Sequence, residues 1–205
     1  MSPASKEAYC LKSIEATGKT VNDAIKSGLE QLGVSRTPIR EALRRLEQER
    51  LIEDTGKGSR VLGITKADLE DIMNIRQRIE GLAAYYATVN LTDEGLKELS
   101  HIVDLQEFYF SKRDKEHLRQ VDDAFHDMIC ELSKRSVISD TLIPLMRKTR
   151  RYRRVAIDDW DRTTDTMKQH KAIFQAIASG NAELAQELTT QHIIHAKEHM
   201  IGGGD

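Results

Sequence analysis

Hydrophobic positions along this chain fall into two regimes. Beyond residue 66 they recur at helical spacing with almost no breakers. Ile72, Ile75, Ile79, Leu82 and Ala83 stripe one helix predicted over about 66–89. Leu96, Leu99, Ile102, Val103 and Phe110 stripe a second, which Thr92 opens with Asp93 and Glu94 in the first turn. Further helices are predicted over about 115–133, 136–158, 162–178 and 182–200. Pro144 is a candidate kink in the fourth, and Ser179-Gly180 is a stop for the fifth.

The pattern before residue 66 is different. Two or three short helices precede two β-prone runs, Leu51–Asp54 and Ser59–Leu62, around Thr55-Gly56-Lys57-Gly58. That reads as a hairpin. Ile39, Ala42, Leu43 and Leu46 make an inward face on the helix just before it, and Gly33 suits the tight turn ahead of that helix. Ser35 or Thr37 can cap it, and Pro38 fits its first turn. The expected architecture is mainly α: a winged helix-turn-helix over residues 1–65 and an all-helical antiparallel bundle over residues 66–205.

Arg36, Arg40 and Arg44 share another face of the residue 36–46 helix, with the hydroxyls of Ser35 and Thr37 at its start. Long donors at a helix N-terminus suit a DNA major groove, where arginine meets guanine and hydroxyls meet phosphates. A solvated face with an ordinary Glu41–Arg45 pair is the plainer alternative. The hairpin favours the DNA reading, because Gly56 lets backbone approach closely and Lys57 supplies a cation at the tip.

Charge changes this picture little. The chain has 205 residues with 31 Lys and Arg against 33 Asp and Glu, a net charge of -2. Residues 1–65 carry 11 basic against 9 acidic side chains, and the rest carry 20 against 24. Cys10 and Cys130 are the only cysteines, which excludes a disulfide framework or Cys-rich metal motif. The start MSPASKEAYCLKS has no apolar signal core, and no apolar run approaches the ~18 residues of a membrane span. A cytoplasmic protein is expected.

All seven histidines lie in the second regime. Asp122 and His126 are four apart on one helical side, and His170 lies on the stripe with Ile173, Phe174 and Ile177. His192 continues the line Leu184–Leu188. Three inward histidines and a carboxylate from three helices suit zinc, nickel, manganese or iron, zinc foremost. The alternative is that each histidine is satisfied separately by a core hydrogen bond. No His-Glu-x-x-His motif occurs, so a metal-dependent hydrolase is the weaker reading.

Two resemblances sharpen these expectations. "LGVSRTPIREALRRLEQERLIEDTGKGSRV", Leu32–Val61, resembles the winged helix-turn-helix of GntR-type bacterial transcription regulators. It implies that Ser35, Arg36, Thr37 and Arg40 contact bases and phosphates, and that Thr55, Gly56 and Lys57 form a wing entering the minor groove. Upstream the chain departs from the family, since Ile14–Thr20 lacks the proline of the usual turn.

Residues from about 67 to 200 are similar to the FCD effector domain, on "IRQRIEGLAA", "DDAFHDMI", "HKAIFQAIASGNAELA" and the His192 position. That resemblance implies a metal held by Asp122, His126, His170 and His192, with His195 and Asp123 as local alternatives. It also implies a small organic acid as effector. Arg76 is placed either on the effector carboxylate or in an ion pair with Glu80, and Arg147, Arg150 and Arg151 are candidates for adding charge nearby. The expected whole is a metabolite-responsive repressor acting as a homodimer on operator DNA. A constitutive DNA binder with a purely structural metal is the alternative.

Overall fold

The structure is a computed structural model that describes residues 35–48, 52–54, 59–62, 64–156 and 160–202. The short helices expected before residue 34 and the wing tip Thr55, Gly56 and Lys57 lie outside the described residues. The chain divides into two compact units, Met1–Ile64 and Thr65–Asp205.

In the first unit, helix α1 (Arg36–Gln48) is followed by strands β1 (Ile52–Asp54) and β2 (Ser59–Val61). The strands pair antiparallel with Ile52 opposite Val61 and Asp54 opposite Ser59. Ile39, Ala42, Leu43 and Leu46 are buried, as is Ile52 of β1, against which α1 packs. The apolar face of α1 thus holds the hairpin, while Arg40, Glu41, Arg44 and Arg45 face outward.

The second unit holds six helices among the described residues: α2 (Lys66–Val89), α3 (Asp93–Ser111), α4 (Lys115–Leu132), α5 (Ser136–Ala156), α6 (Trp160–Ala178) and α7 (Ala182–Gly202). Thr65 belongs with this unit because it caps α2. Its hydroxyl accepts from the Asp68 amide at 3.1 Å, and Asp68 accepts from the Thr65 amide at 2.9 Å. Thr92 and Asp114 cap α3 and α4. Gly180 ends the α6 turn at φ 74°, where a side chain would be strained. Pro144 sits inside α5, which continues through it.

α2 is the central helix. It packs along α7 and against α4, α5 and α6, while α3 packs on α4 and α6. Gly81 makes the α2–α7 approach close: a Cβ there would collide with Thr190 Oγ1 and lie 2.9 Å from the Gln186 carbonyl. The core runs through Ala83, Ala84, Ala87, Leu99, Phe125, Ile129, Met146, Ile173 and Ile177. No helix among the described residues is long and apolar enough to cross a membrane.

The apolar stripe expected on α2 is buried only in part: Ile72 and Ala83 are buried and Ile79 packs on the core, but Ile75 and Leu82 do not join them. Ile75 and Leu82 are 39% and 38% exposed, whereas Arg76 and Glu80 are 1% and 2% exposed. The polar pair goes inside because each partner satisfies the other there, leaving the two large aliphatics to the surface. On α7 the line Leu184, Leu188, His192 turns inward only after Leu184, with Leu188 packed on the core. Leu184 is exposed, and Ala185, Thr189, His192 and Ile193 are buried.

Candidate metal centre and nucleic-acid surface

Three helices bring the histidines together. His126 on α4, His170 on α6 and His192 on α7 are all buried, and their ligand atoms lie within 4.8 Å of one another. This is the group of potential metal ligands found among the described residues. His170 Nε2 and His192 Nε2 are 3.4 Å apart. Two nitrogens on a tetrahedral zinc with bonds of about 2.05 Å would be separated by about 3.35 Å.

The remaining ring nitrogens are each held from behind. His192 Nδ1 lies 2.8 Å from Gln169 Oε1, an acceptor, so this nitrogen donates and Nε2 keeps its lone pair. His126 Nδ1 lies 2.7 Å from Glu80 Oε1. That contact is short but poorly aligned as a hydrogen bond, so its attraction is chiefly Coulombic. His170 Nδ1 meets the Gln106 amide, 3.0 Å from Nε2 and 3.4 Å from Oε1. With Nε2 of Gln106 donating, His170 carries its proton on Nε2 and can give it to His192. Turning the amide end for end makes Nδ1 the donor and frees the Nε2 lone pair, at the cost of the 3.4 Å bond from Gln106 Nε2 to the Val121 carbonyl. The His170 ring stacks on Phe125, centroids 4.3 Å apart, which restrains its tilt.

Asp122 stands beside the three, with Oδ1 3.9 Å from His170 Nε2. Its neighbour Asp123 is engaged elsewhere, 3.2 Å from Arg150 Nε. Arg150 also donates to Asp127 at 2.7 Å, so its charge is matched by two carboxylates. Neither Arg147 nor Arg150 lines the cavity at the cluster, contrary to the expectation of added charge there. His195 is exposed and bonded to Gln169 Nε2 at 3.0 Å, apart from the buried three.

Arg76 forms the ion pair. Nε donates to Glu80 Oε2 at 2.9 Å, Nη2 to Glu80 Oε1 at 3.2 Å and Nη1 to Thr149 Oγ1 at 3.2 Å. Burial alone would push the Glu80 carboxyl up. Arg76 and then His126 outweigh it and hold Glu80 well below the usual carboxylate range.

A cavity of about 40 Å³ adjoins the cluster, lined among others by Arg76, Asp122, His126, His192 and Arg162. That is room for roughly three waters at one probe sphere each. Met167 and Met200, whose unbranched side chains adapt readily, also line the wall. An outer groove of about 560 Å³ shares Arg162, Thr166, His192 and Ala196 with this cavity. Arg162, Gln106 and Gln169 were not singled out from the sequence. Arg162 had a signal: it lies eight residues, about two helical turns, before His170, with Thr166 between them. The two glutamines had none, since their partners are 64 and 23 residues away.

In the first unit α1 begins at Arg36, so Ser35 rather than Thr37 stands at its cap position. Ser35, Thr37, Arg40 and Arg44 are exposed. The face opposite the hairpin contacts therefore presents hydroxyls at the helix start and arginines beyond it.

Comparison with known proteins agrees with both halves. The FCD domain family matches residues 71–195, and the family described as bacterial regulatory proteins, gntR family, matches residues 29–61. The HTH-type transcriptional repressor RspR of Escherichia coli K12 is 26% identical over 171 residues, covering 83% of this chain and 75% of that protein. An uncharacterised HTH-type regulator from an unstable DNA locus of Streptomyces ambofaciens is 30% identical over 175 residues, covering 79% and 68%. Among solved structures, E. coli McbR/YncC superposes with a TM-score of 0.78 at 21% identity, covering 88% of this chain and 87% of that one. With a helix-turn-helix match at one end and an FCD match spanning most of the rest, the chain belongs to the GntR family of bacterial transcription regulators and carries an FCD domain.

Proposed function

We propose that this regulator couples DNA binding to a small carboxylate sensed at a metal centre in its second unit. The observation that carries this reading is the convergence of three buried imidazoles whose outer nitrogens are each held by Glu80, Gln106 or Gln169. Outer partners of this kind orient metal-ligating histidines and fix their tautomers. Asp122, His126, His170 and His192 would hold a divalent transition metal, zinc foremost, with nickel, manganese and iron as other candidates. When bound, such an ion would offer open coordination positions to a carboxylate oxygen.

The chain's own residues would then select the effector. Arg162 lines both the inner cavity and the outer groove, so its fork-shaped cation can meet an anion in either. We assign effector contact to Arg162 because it lines both spaces, whereas Arg76 lines the inner cavity and donates to Glu80 and Thr149.

On the DNA side, Ser35, Arg36, Thr37 and Arg40 would meet bases and phosphates, and Thr55, Gly56 and Lys57 the minor groove. We assign the protein to a homodimeric repressor working in the cytoplasm, where a two-fold pair of heads spans successive major grooves. A second copy has a surface to use: Ile75, Leu82 and Val89 are exposed and spaced seven apart along α2. The assignment to repression rests on similarity to the transcriptional repressor RspR.

The test is a titration of metal-stripped protein with zinc and then small organic acids. Anisotropy of an operator duplex follows DNA binding, and the sole tryptophan, Trp160, reports the sensor. Trp160 packs near Leu118 and Met167, two residues of the cavity wall. Operator affinity that changes with the acid only in the presence of metal supports the reading. Metal uptake without any change in DNA binding would reduce the ion to a structural part.

A further inference from the structure

The three histidines are not held alike. His170 and His192 are backed by neutral amides, Gln106 and Gln169. His126 is backed by a carboxylate, and both groups are almost wholly buried, at 3% and 2% exposed. A dry carboxylate is costly unless its charge is used. Glu80 uses it twice, toward Arg76 through both oxygens and toward His126 through Oε1, so Oε1 is shared. The contact to His126 Nδ1 is 2.7 Å and that to Arg76 Nη2 is 3.2 Å. The two-point pair with Arg76 thus also places a carboxylate oxygen 2.7 Å from His126 Nδ1.

We propose that Glu80 is a positioning residue for His126 and that Arg76 sets how strongly it acts, so that α2 controls the cluster's hold on a metal ion. The carboxylate, 2.7 Å from Nδ1, attracts the proton to that nitrogen and so leaves the Nε2 lone pair for a metal ion. It also makes that lone pair a stronger donor. Arg76 draws on the same oxygen and so moderates the effect. Its Nη1 contact with Thr149 ties the arrangement to α5 as well. α4 and α2 are thereby joined through the Glu80 carboxylate and α5 through Arg76, and Thr65, which caps α2, is the first residue of the second unit.

This inference rests on reading the cluster as a metal site. The two substitutions have opposite expected signs, which a merely structural role would not produce. The measurement is Zn²⁺ affinity of the metal-stripped full chain by competition with a chelating dye, with circular dichroism confirming the fold of each variant. Glu80→Gln keeps the size but loses the charge, and should bind Zn²⁺ roughly 10- to 100-fold more weakly. Glu80→Asp keeps the charge but withdraws it by one methylene, and should also weaken binding. Arg76→Met frees the carboxylate and should bind Zn²⁺ more tightly than the wild type.

Wild-type affinity in Glu80→Gln overturns the proposal. Wild-type affinity in Glu80→Asp together with a weaker Glu80→Gln overturns the positioning role in favour of charge alone. Weaker binding in a folded Arg76→Met overturns the moderating role of Arg76. If Arg76→Met does not fold, the two Glu80 variants still decide for or against Glu80. A wild-type chain that takes up no Zn²⁺ overturns both this inference and the metal reading, whereas tight wild-type binding with unchanged variants overturns this inference alone.

Discussion

Removing His170 separates what the imidazole does for the fold from what it does for a metal. His170 is fully buried, stacked on Phe125 and bonded to Gln106. Cutting it to alanine removes most of a ring's packing, about 3 kcal/mol at the low end for aromatic truncations. The Gln106 amide keeps the Val121 carbonyl at 3.4 Å, so its loss should sit near the bottom of the range of about 1–3 kcal/mol for an unmade buried bond. His170→Ala should therefore lower stability by about 3–4 kcal/mol before any metal is added.

The metal effect is a second, independent quantity. A ligand at 100 times its Kd stabilises the native state by about 2.7 kcal/mol. For a unit of this size that shifts the melting point by roughly 5–11 °C. The assay is thermal melting of chelator-treated protein with and without zinc, read on the transition that zinc moves in the wild type. His170→Ala should melt lower and lose most of the zinc-dependent shift. His170→Asn retains a polar partner for Gln106, should melt closer to the wild type and should lose the shift as well. A zinc shift of wild-type size in either variant would refute the placement of His170 among the ligands.

Three further predictions test other parts of the molecule. Arg40→Ala should weaken binding to a selected operator by about 1–3 kcal/mol and relax base preference at one position in a duplex-selection experiment, and unchanged preference would displace Arg40 from the groove. Leu82→Glu, with Leu82 38% exposed on α2, should shift the protein from dimer to monomer in sedimentation velocity, and an unaltered dimer would mean the assembly uses another face. Gly81→Ala gains about 1 kcal/mol of helix propensity but presses a Cβ against the Gln186 carbonyl, which is backbone and cannot rotate away. Overpacking of about 1–3 kcal/mol should prevail in urea unfolding, and a stabilised variant would show that α2 and α7 can part without loss.

Helices, their ends and their chemistry were largely legible from local pattern. Thr92 and Ser179-Gly180 mark element ends because caps and stops depend on neighbours within a turn. The inward face of α1 follows from Ile39, Ala42, Leu43 and Leu46, since a short helix with one apolar stripe has only one way to bury it. The residues Asp122, His126, His170 and His192 were candidates from their positions on predicted helix faces, sharpened by family resemblance.

What local pattern could not decide was which groups answer one another across helices. Ile75 looked like core, and Arg76 stood open between an effector carboxylate and Glu80, until Glu80, His126 and Thr149 surrounded the guanidinium and its carboxylate with partners. Asp122 and Asp123 were equivalent by type, and Arg150 on α5 separates them by engaging Asp123. Gln106 and Gln169, which hold two of the three imidazoles, carry no signal in sequence at all. The sequence by itself determined the helices and the residue types available for binding. Only the tertiary structure decided which buried polar groups are paired and which lone pairs converge, because that depends on contacts between residues far apart in the chain.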